Sequence, residues 1–286
     1  MGKNEIGVFL PCTGVKDPKK ALEIAKRLDL RVVQIQSLQL SEDFYSKEGA
    51  KRFVNLLERY GIKASAVCMV FKGERYDDLE TVRRTVGYLP PETLPSRLKY
   101  SKRCVDFAAN INAPIVTTHM GVLPKNPSST GYQRLLNAVR EVARYCRNVG
   151  VTLALETGQE SSTELLNFIN LVGEDVKVNF DGANFILYGI DNPIKALRTL
   201  KDHIVHVHVK DGLPPEKEDL LGREVSLGEG KAEVRKTICE LVSFGYTGPF
   251  IMEIYVWRER KIDPLLELQK GKFFISAALD CCKIPP

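Results

Sequence analysis

The sequence predicts an α/β protein folded as a single (β/α)8 barrel domain over residues 1–286. Three observations predict it. Apolar strand-like runs alternate with amphipathic helical stretches, which implies a parallel sheet. The alternation occurs eight times in 286 residues, and a closed barrel of this kind takes about 250. The rival, a doubly wound open sheet, would carry G-x-G-x-x-G after its first strand, and no such run is present.

The elements follow in order. Residues 5–10 read as a strand and 17–28 as a helix, with Pro18 in the first turn, where a missing N–H breaks no helical bond. A strand at 31–36 leads to a helix at 46–60 that Gly61 stops. After the strand at 62–70, residues 71–92 are too long for an ordinary connection and are expected to carry short structure or a lid. Helix 93–110, strand 114–119, helix 129–148 (closed by Gly150), strand 151–156, helix 162–171 and strand 176–181 come next. Helix 193–201 and strand 204–210 precede a second long loop, 211–230, and helix 232–244. Strand 249–255 and helix 264–280 complete the eighth unit.

Composition narrows the classes of function. With 44% hydrophobic and 27% charged residues the chain can bury a large core, and no low-complexity linker divides it. The net charge of +5 is mild, and the densest basic stretch, 258–261, is interrupted by Glu259 and reads as a solvated loop. Nucleic acid is therefore not an expected partner. No apolar run reaches the ~18 residues of a membrane span, so no membrane partner is expected either. Seven cysteines, at 12, 68, 104, 146, 239, 281 and 282, form no C-x-x-C pair and read as reduced thiols, the last two packing on a terminal helix. With no signal pattern over residues 1–4, the expected location is cytoplasmic.

Strand residues in a barrel alternate between the helix layer and the interior. If Val151, Leu153 and Leu155 face the helices, Glu156 points inward. By the same phase Val176, Val178 and Phe180 place Asn179 and Asp181 inside, and the valines at 205, 207 and 209 place His206, His208 and Lys210 inside. Phe250, Met252 and Ile254 leave Ile251 and Glu253 inside. Glu156, Asp181, His208 and Glu253 are thus spaced by 25, 27 and 45 residues, near the C-terminal ends of successive strands, the face where barrel active sites sit. A lone glutamate there ordinarily pairs with a lysine such as Lys177 or Lys210. Three acids and an imidazole in one phase would repel one another unless a cation lay between them. The oxygen-rich set suits one divalent metal, Mn²⁺ or Mg²⁺, with Zn²⁺, Co²⁺ or Fe²⁺ as alternatives.

Around this set, His119 and Lys210 are candidates to hold substrate oxygens. His206 lies one layer deeper and reads either as a substrate contact or as support. His203, at a helix end, reads as structural. Glu229 sits between Gly228 and Gly230 on a turn suited to helix capping or loop closure, or to substrate contact. Tyr255 and Trp257 would line a pocket or an interface between copies of the chain in a homo-oligomer. Substrate selectivity is expected in the loops 71–92, 121–128 and 211–227.

The stretches THMG at 118–121, LALETG at 153–158, VNFDGAN at 178–184, HVHVKDG at 206–212, LGEG at 227–230 and GPFIMEI at 248–254 resemble those of the xylose-isomerase-like barrels. Within them the chain is similar to the sugar phosphate isomerase/epimerase group, which includes D-tagatose 3-epimerase, hydroxypyruvate isomerase and inosose dehydratase. The resemblance implies that Glu156, Asp181, His208 and Glu253 bind the metal and that Glu156 and Glu253 double as the acid/base pair. It implies an isomerase or epimerase acting on a small carbohydrate, a keto sugar or related polyol, through an enediolate. Two positions depart from the group's usual pattern. Asn184 replaces a histidine three residues after the strand-six aspartate, and is counted among the substrate contacts. Gln34 replaces a glutamate of the second strand. These departures point to a different substrate or to lost activity, so an inosose-type dehydratase and a catalytically silent carbohydrate-binding protein stand as alternatives. A DNA-cutting barrel of the endonuclease IV type needs a histidine-rich three-zinc cluster, and four histidines in the whole chain disfavour it.

Overall fold

The computed structural model describes residues 4–173, 176–217 and 220–282. Strand β1 (Ile6–Phe9) runs into helix α1 (Pro18–Arg27), β2 (Val32–Gln36) into α2 (Lys47–Tyr60), and β3 (Lys63–Cys68) into α3 (Leu79–Thr85) and α4 (Leu94–Asn110). Next come β4 (Ile115–Thr118), α5 (Thr130–Val149), β5 (Thr152–Glu156), α6 (Ser162–Val172), β6 (Lys177–Asp181), α7 (Gly182–Leu187) and α8 (Pro193–Leu200). Strand β7 (Ile204–Val209) is followed by β8 (Asp211–Leu213), β9 (Arg223–Val225) and α9 (Val234–Ser243). The chain ends with β10 (Phe250–Met252), α10 (Val256–Arg260) and α11 (Pro264–Cys281). Eight strands close the barrel in the order β1-β10-β7-β6-β5-β4-β3-β2, and neighbouring strands are parallel.

Local chemistry sets the boundaries. Asp17, Ser46, Ser129 and Asp263 cap their helices through side-chain oxygens, and Ser161 with Glu164 closes a reciprocal capping box on α6. Outward residues such as Val8, Val33, Leu155 and Phe180 pack with Leu22, Phe53, Leu135 and Phe168 of the helices in one buried cluster.

Four expectations are corrected. Residues 211–230 are more than loop, because β8 and β9 pair as an antiparallel hairpin. Helices α7 and α10, of six and five residues, are too short to show an apolar period. Val205 does not face the helix layer. The register shifts between Val178 and Asn179, and Val205 packs instead on Ala66, Ile115 and Ala154. An extra residue at a bulge breaks the two-residue alternation on which the expectation rested. The thiols are not all reduced: Cys239 of α9 and Cys282 form a disulfide with Cα atoms 5.2 Å apart, because α9 and α11 lie side by side although the two cysteines are 43 residues apart. Cys12, Cys68, Cys104, Cys146 and Cys281 are free. No described helix is long and apolar enough to cross a membrane.

A second bulge, between Val33 and Gln34 in the β2–β3 pairing, skips Ser65. The two bulges together let Ser65 Oγ meet His206 Nε2 at 3.0 Å in the barrel interior. The hairpin is anchored by one carboxylate. Asp211 accepts the backbone N–H groups of Gly212, Gly228, Gly230 and Ala232 at 2.9–3.0 Å. A Cβ at position 230 would collide with the Asp211 carboxylate, which explains the glycine there.

Asp211→Ala leaves these amides without their acceptor. At about 1–3 kcal/mol for a buried unpaired group, it is expected to remove several kcal/mol of stability in chemical denaturation and to release amide protection at 228–232. Unchanged exchange there would refute the anchor. Burial also pushes the Glu160 carboxyl up to about 8 from its ordinary 4.5. The native state then holds a proton the unfolded chain has lost, so this group's contribution is full below about 4.5 and falls away as pH rises through about 8. Glu160→Gln is therefore expected to raise the melting temperature at pH 8 and to change it little at pH 4.5; an equal shift at both pH values would contradict this.

Candidate metal centre

Four strands deliver the site. Glu156 and Asp181 are the last residues of β5 and β6, His208 is next to last in β7, and Glu253 follows β10. Register places Asp181 beside His208 and His208 beside Ile251. One ligand atom from each of Glu156, Asp181, His208 and Glu253 lies within 4.8 Å of all the others, and all four residues are buried. The His208 Nδ1 atom is 3.3 Å from Glu156 Oε1, 3.1 Å from Glu253 Oε2 and 4.0 Å from Asp181 Oδ2.

Neighbouring groups aim each ligand. Asp181 spends Oδ1 on capping α7, accepting from the N–H groups of Ala183 (2.9 Å) and Asn184 (3.3 Å), which turns Oδ2 toward the cluster. His208 Nε2 meets Gln34 Oε1 at 2.5 Å, and Gln34 Nε2 donates to Thr117 Oγ1 at 2.9 Å. With Nε2–H donated to Gln34, His208 turns Nδ1 toward the acids, where it carries a proton in the metal-free chain and would yield it to a cation. Glu156 accepts from Asn179 Nδ2 and Asn184 Nδ2, both at 3.3 Å, and lies 3.3 Å from His119 Nε2. Gly158, at φ 125°, lets this strand end pass against Asn184, where any Cβ would clash.

The electrostatics favour a cation. Burial would raise the acids, but His119 and His208 hold Glu156 well below its usual range, and Lys210 with His208 holds Glu253 at about 2. Burial would lower His208, yet Glu156 and Glu253 push it up to about 10. Two oxygens, Asp181 Oδ2 and Glu253 Oε2, are buried with no aligned hydrogen-bond donor. Buried carboxylate oxygens met by the charges of Lys210 and a protonated His208, two of them without an aligned donor, form a hard donor set that fits a divalent ion.

Glu156 and Glu253 of the cluster line a cavity of about 490 Å³, and Asp181 and His208 are buried outside its wall. Its walls include His119, Asn184 and Lys210. Asn184 also accepts from Lys210 Nζ at 3.3 Å. His206 is not among the wall residues. It is fully buried one layer below, with Nδ1 at 2.8 Å from Asn179 Oδ1, so of its two readings the geometry supports the supporting role. Burial depresses it to about 3, keeping the ring neutral. Tyr255 lines the cavity and Trp257 does not. Glu229 pairs with Arg260 at 2.7 Å and closes the loop. His203 lies in a turn at the opposite end of β7.

Sequence reasoning missed Phe9, Tyr76, Tyr188 and Glu224 in the wall. Glu224 stands on β9, and its Oε1 accepts from the backbone N–H groups of Tyr255 and Val256. Burial pushes it up to about 7. The three-residue strand that carries it, Arg223-Glu224-Val225, is two charges and a valine and shows no alternation to read.

Residues 22–271 match the family model described as xylose isomerase-like TIM barrel. A xylose isomerase domain protein from Planctomyces limnophilus is 31% identical, with 97% of each chain covered and a TM-score of 0.86. The D-allulose 3-epimerase from Methylomonas sp., solved with D-allulose, is 14% identical over 97% of this chain and 98% of its own, with a TM-score of 0.70, a likeness of fold alone. The uncharacterized protein YihM of Escherichia coli (strain K12) is 28% identical over 118 residues, 40% of this chain and only 36% of its own length. The chain belongs to the xylose isomerase-like TIM barrel family.

Proposed function

We propose that this protein is a divalent-metal-dependent isomerase or epimerase that moves a proton on a keto sugar or related polyol through an enediolate. The observation that carries the reading is the buried, converging set Glu156, Asp181, His208 and Glu253, of which Glu156 and Glu253 line a cavity of about 490 Å³. Glu156, Asp181, His208 and Glu253 would hold the ion, with Mn²⁺ or Mg²⁺ the best match to three carboxylates and one imidazole. A divalent ion there supplies Lewis acidity to a substrate carbonyl and steadies the enediolate charge.

The chain's own residues do the rest. Glu156 and Glu253 form the acid/base pair. One removes the proton beside the carbonyl and the other supplies a proton of its own, from the opposite face in an epimerisation, and the two carboxyls recover their starting states by exchange with solvent. Their settings differ, as this division of labour requires: four side-chain nitrogens, of His119, Asn179, Asn184 and His208, surround Glu156, whereas Glu253 Oε2 meets Lys210 and His208 without an aligned donor. His119, Lys210 and Asn184 face the cavity and would hold substrate oxygens. The D-allulose complex of the Methylomonas epimerase lends support to a sugar of this class. Gln34 and Asn184, the two departures from the group's pattern, both bond to members of the site, which favours an enzyme over a silent binding protein.

Glu224 favours a second reading. A cavity-wall carboxyl that burial pushes up to about 7 can donate a proton near neutral pH, as a dehydratase needs for its leaving hydroxyl. A dehydrated keto product from an inosose, lost in Glu224→Gln while substrate proton exchange persists, would select it.

Elemental analysis by plasma mass spectrometry tests the metal. About one equivalent of Mn or Mg per chain is expected in the wild type, and none in the E156Q/E253Q double variant. Proton NMR in D₂O against a keto-sugar panel should then show exchange beside the carbonyl and a new epimer or isomer. A wild type that takes up no ion after incubation with each metal in turn would sink the reading. Gln34→Leu, which unties His208 Nε2, is expected to weaken Mn²⁺ binding about 10–100-fold in calorimetric titration; unchanged affinity would deny Gln34 its orienting role.

A further inference from the structure

Lys210 lies one residue beyond β7, and its side chain is 9% exposed. Nζ stands 2.9 Å from Asp181 Oδ2 and 2.6 Å from Glu253 Oε2. Among the four converging residues these are the two buried oxygens that lack an aligned hydrogen-bond donor, so the ammonium meets them as a charge out of line for a hydrogen bond. On its other side Nζ reaches Asn184 Oδ1 at 3.3 Å, and the residue lines the cavity. Lys210 is thus in contact both with two of the converging ligands and with the space where substrate would sit.

We propose that Lys210 is a positioning residue that competes with the divalent ion for Asp181 and Glu253, and that metal loading turns its ammonium toward Asn184 and the cavity. The inference rests on the metal reading of the site. A monocation in contact with two of the ion's ligands opposes the ion by direct repulsion and by occupying the same oxygens. The same ammonium keeps Asp181 and Glu253 close together, since the two buried carboxylates would otherwise repel without a counter-ion. Lys210 therefore lowers metal affinity while keeping the ligands in place. It also links the two halves of the site, because the ion's arrival delivers a hydrogen-bond donor to substrate oxygens. An exchangeable metal, bound more weakly than the ligand set alone would allow, is the consequence.

The test compares chelator-stripped wild type, Lys210→Met and Lys210→Arg by calorimetric titration with Mn²⁺ and by thermal unfolding with and without the ion. Lys210→Met is expected to bind Mn²⁺ at least about tenfold tighter, about 1.4 kcal/mol. It is expected to melt lower than wild type without the ion and to gain more on its addition. Lys210→Arg, which keeps the charge, should not tighten binding. Should Lys210→Met fail to fold, Lys210→Gln provides the same comparison, with the same tightening expected. Equal or weaker Mn²⁺ binding by the neutral variants, beside a wild type that binds, overturns this inference and leaves the metal reading standing. No uptake by wild type or neutral variants overturns both.

Discussion

The interaction on which the rest of the site depends is the repulsion among three buried carboxylates, Glu156, Asp181 and Glu253, brought together by barrel closure. Two unit charges 4 Å apart interact with about 4 kcal/mol at an effective dielectric constant of 20, so such a trio does not persist unanswered. Each carboxylate has its own answer. Asp181 gives one oxygen to the first turn of α7. Glu156 is surrounded by nitrogens from His119, Asn179 and Asn184. Glu253 lies against His208 and Lys210. Two of the oxygens, Asp181 Oδ2 and Glu253 Oε2, are met by charge alone, with Lys210 beside both but no donor aligned on either. The chemistry of the site resides in that pair.

Below the ligands a neutral polar layer holds them still. Ser65, His206 and Asn179 form a chain of contacts that ends on Glu156 and His208. The chain exists because two bulges move Ser65 and His206 into reach of each other. Bulges near barrel sites re-aim side chains in this way. Burial keeps His206 uncharged, so the layer adds no positive charge that would compete with the ion. The strand geometry and the electrostatics therefore serve one end, a rigid set of acids with charge to spare.

The parts of the fold visible in the sequence were those with a period. Strand alternation in Val151 to Glu156 and Val176 to Asp181 fixed the inward phase, because outward positions need bulky apolar residues against the helix layer. Caps such as Ser161 with Glu164, and stops such as Gly61 and Gly150, marked helix ends by local chemistry alone. Features made by contacts between distant segments stayed hidden. Val205 breaks phase because of its pairing with β6, which no local pattern encodes. Cys239 and Cys282 pair because α9 and α11 are neighbours. Glu224 stands in the cavity wall through contacts with distant segments, its Oε1 accepting from Tyr255 and Val256 while Asp211 gathers the amides of Gly228, Gly230 and Ala232.

Gln34 and Asn184 looked from the sequence like signs of altered or lost chemistry, and their contacts explain what neutrality achieves. A glutamate at position 34 would add a fourth carboxylate beside the trio. The amide instead offers an oxygen to His208 Nε2 and a donor to Thr117, so it orients the imidazole without adding charge. At position 184 an imidazole could donate to Glu156 from one nitrogen, but its second nitrogen lies in a fixed ring. The asparagine amide donates to Glu156 and accepts from Lys210 at the same time. That bridge ties the acid on β5 to the ammonium beyond β7, across the strand that carries Asp181. The two substitutions exchange charge for hydrogen-bond direction, and they do so where the carboxylates are already most crowded. Selectivity is then left to groups farther out, the aromatic side chains of Phe9, Tyr76, Tyr188 and Tyr255 and the carboxyl of Glu224 in the cavity wall.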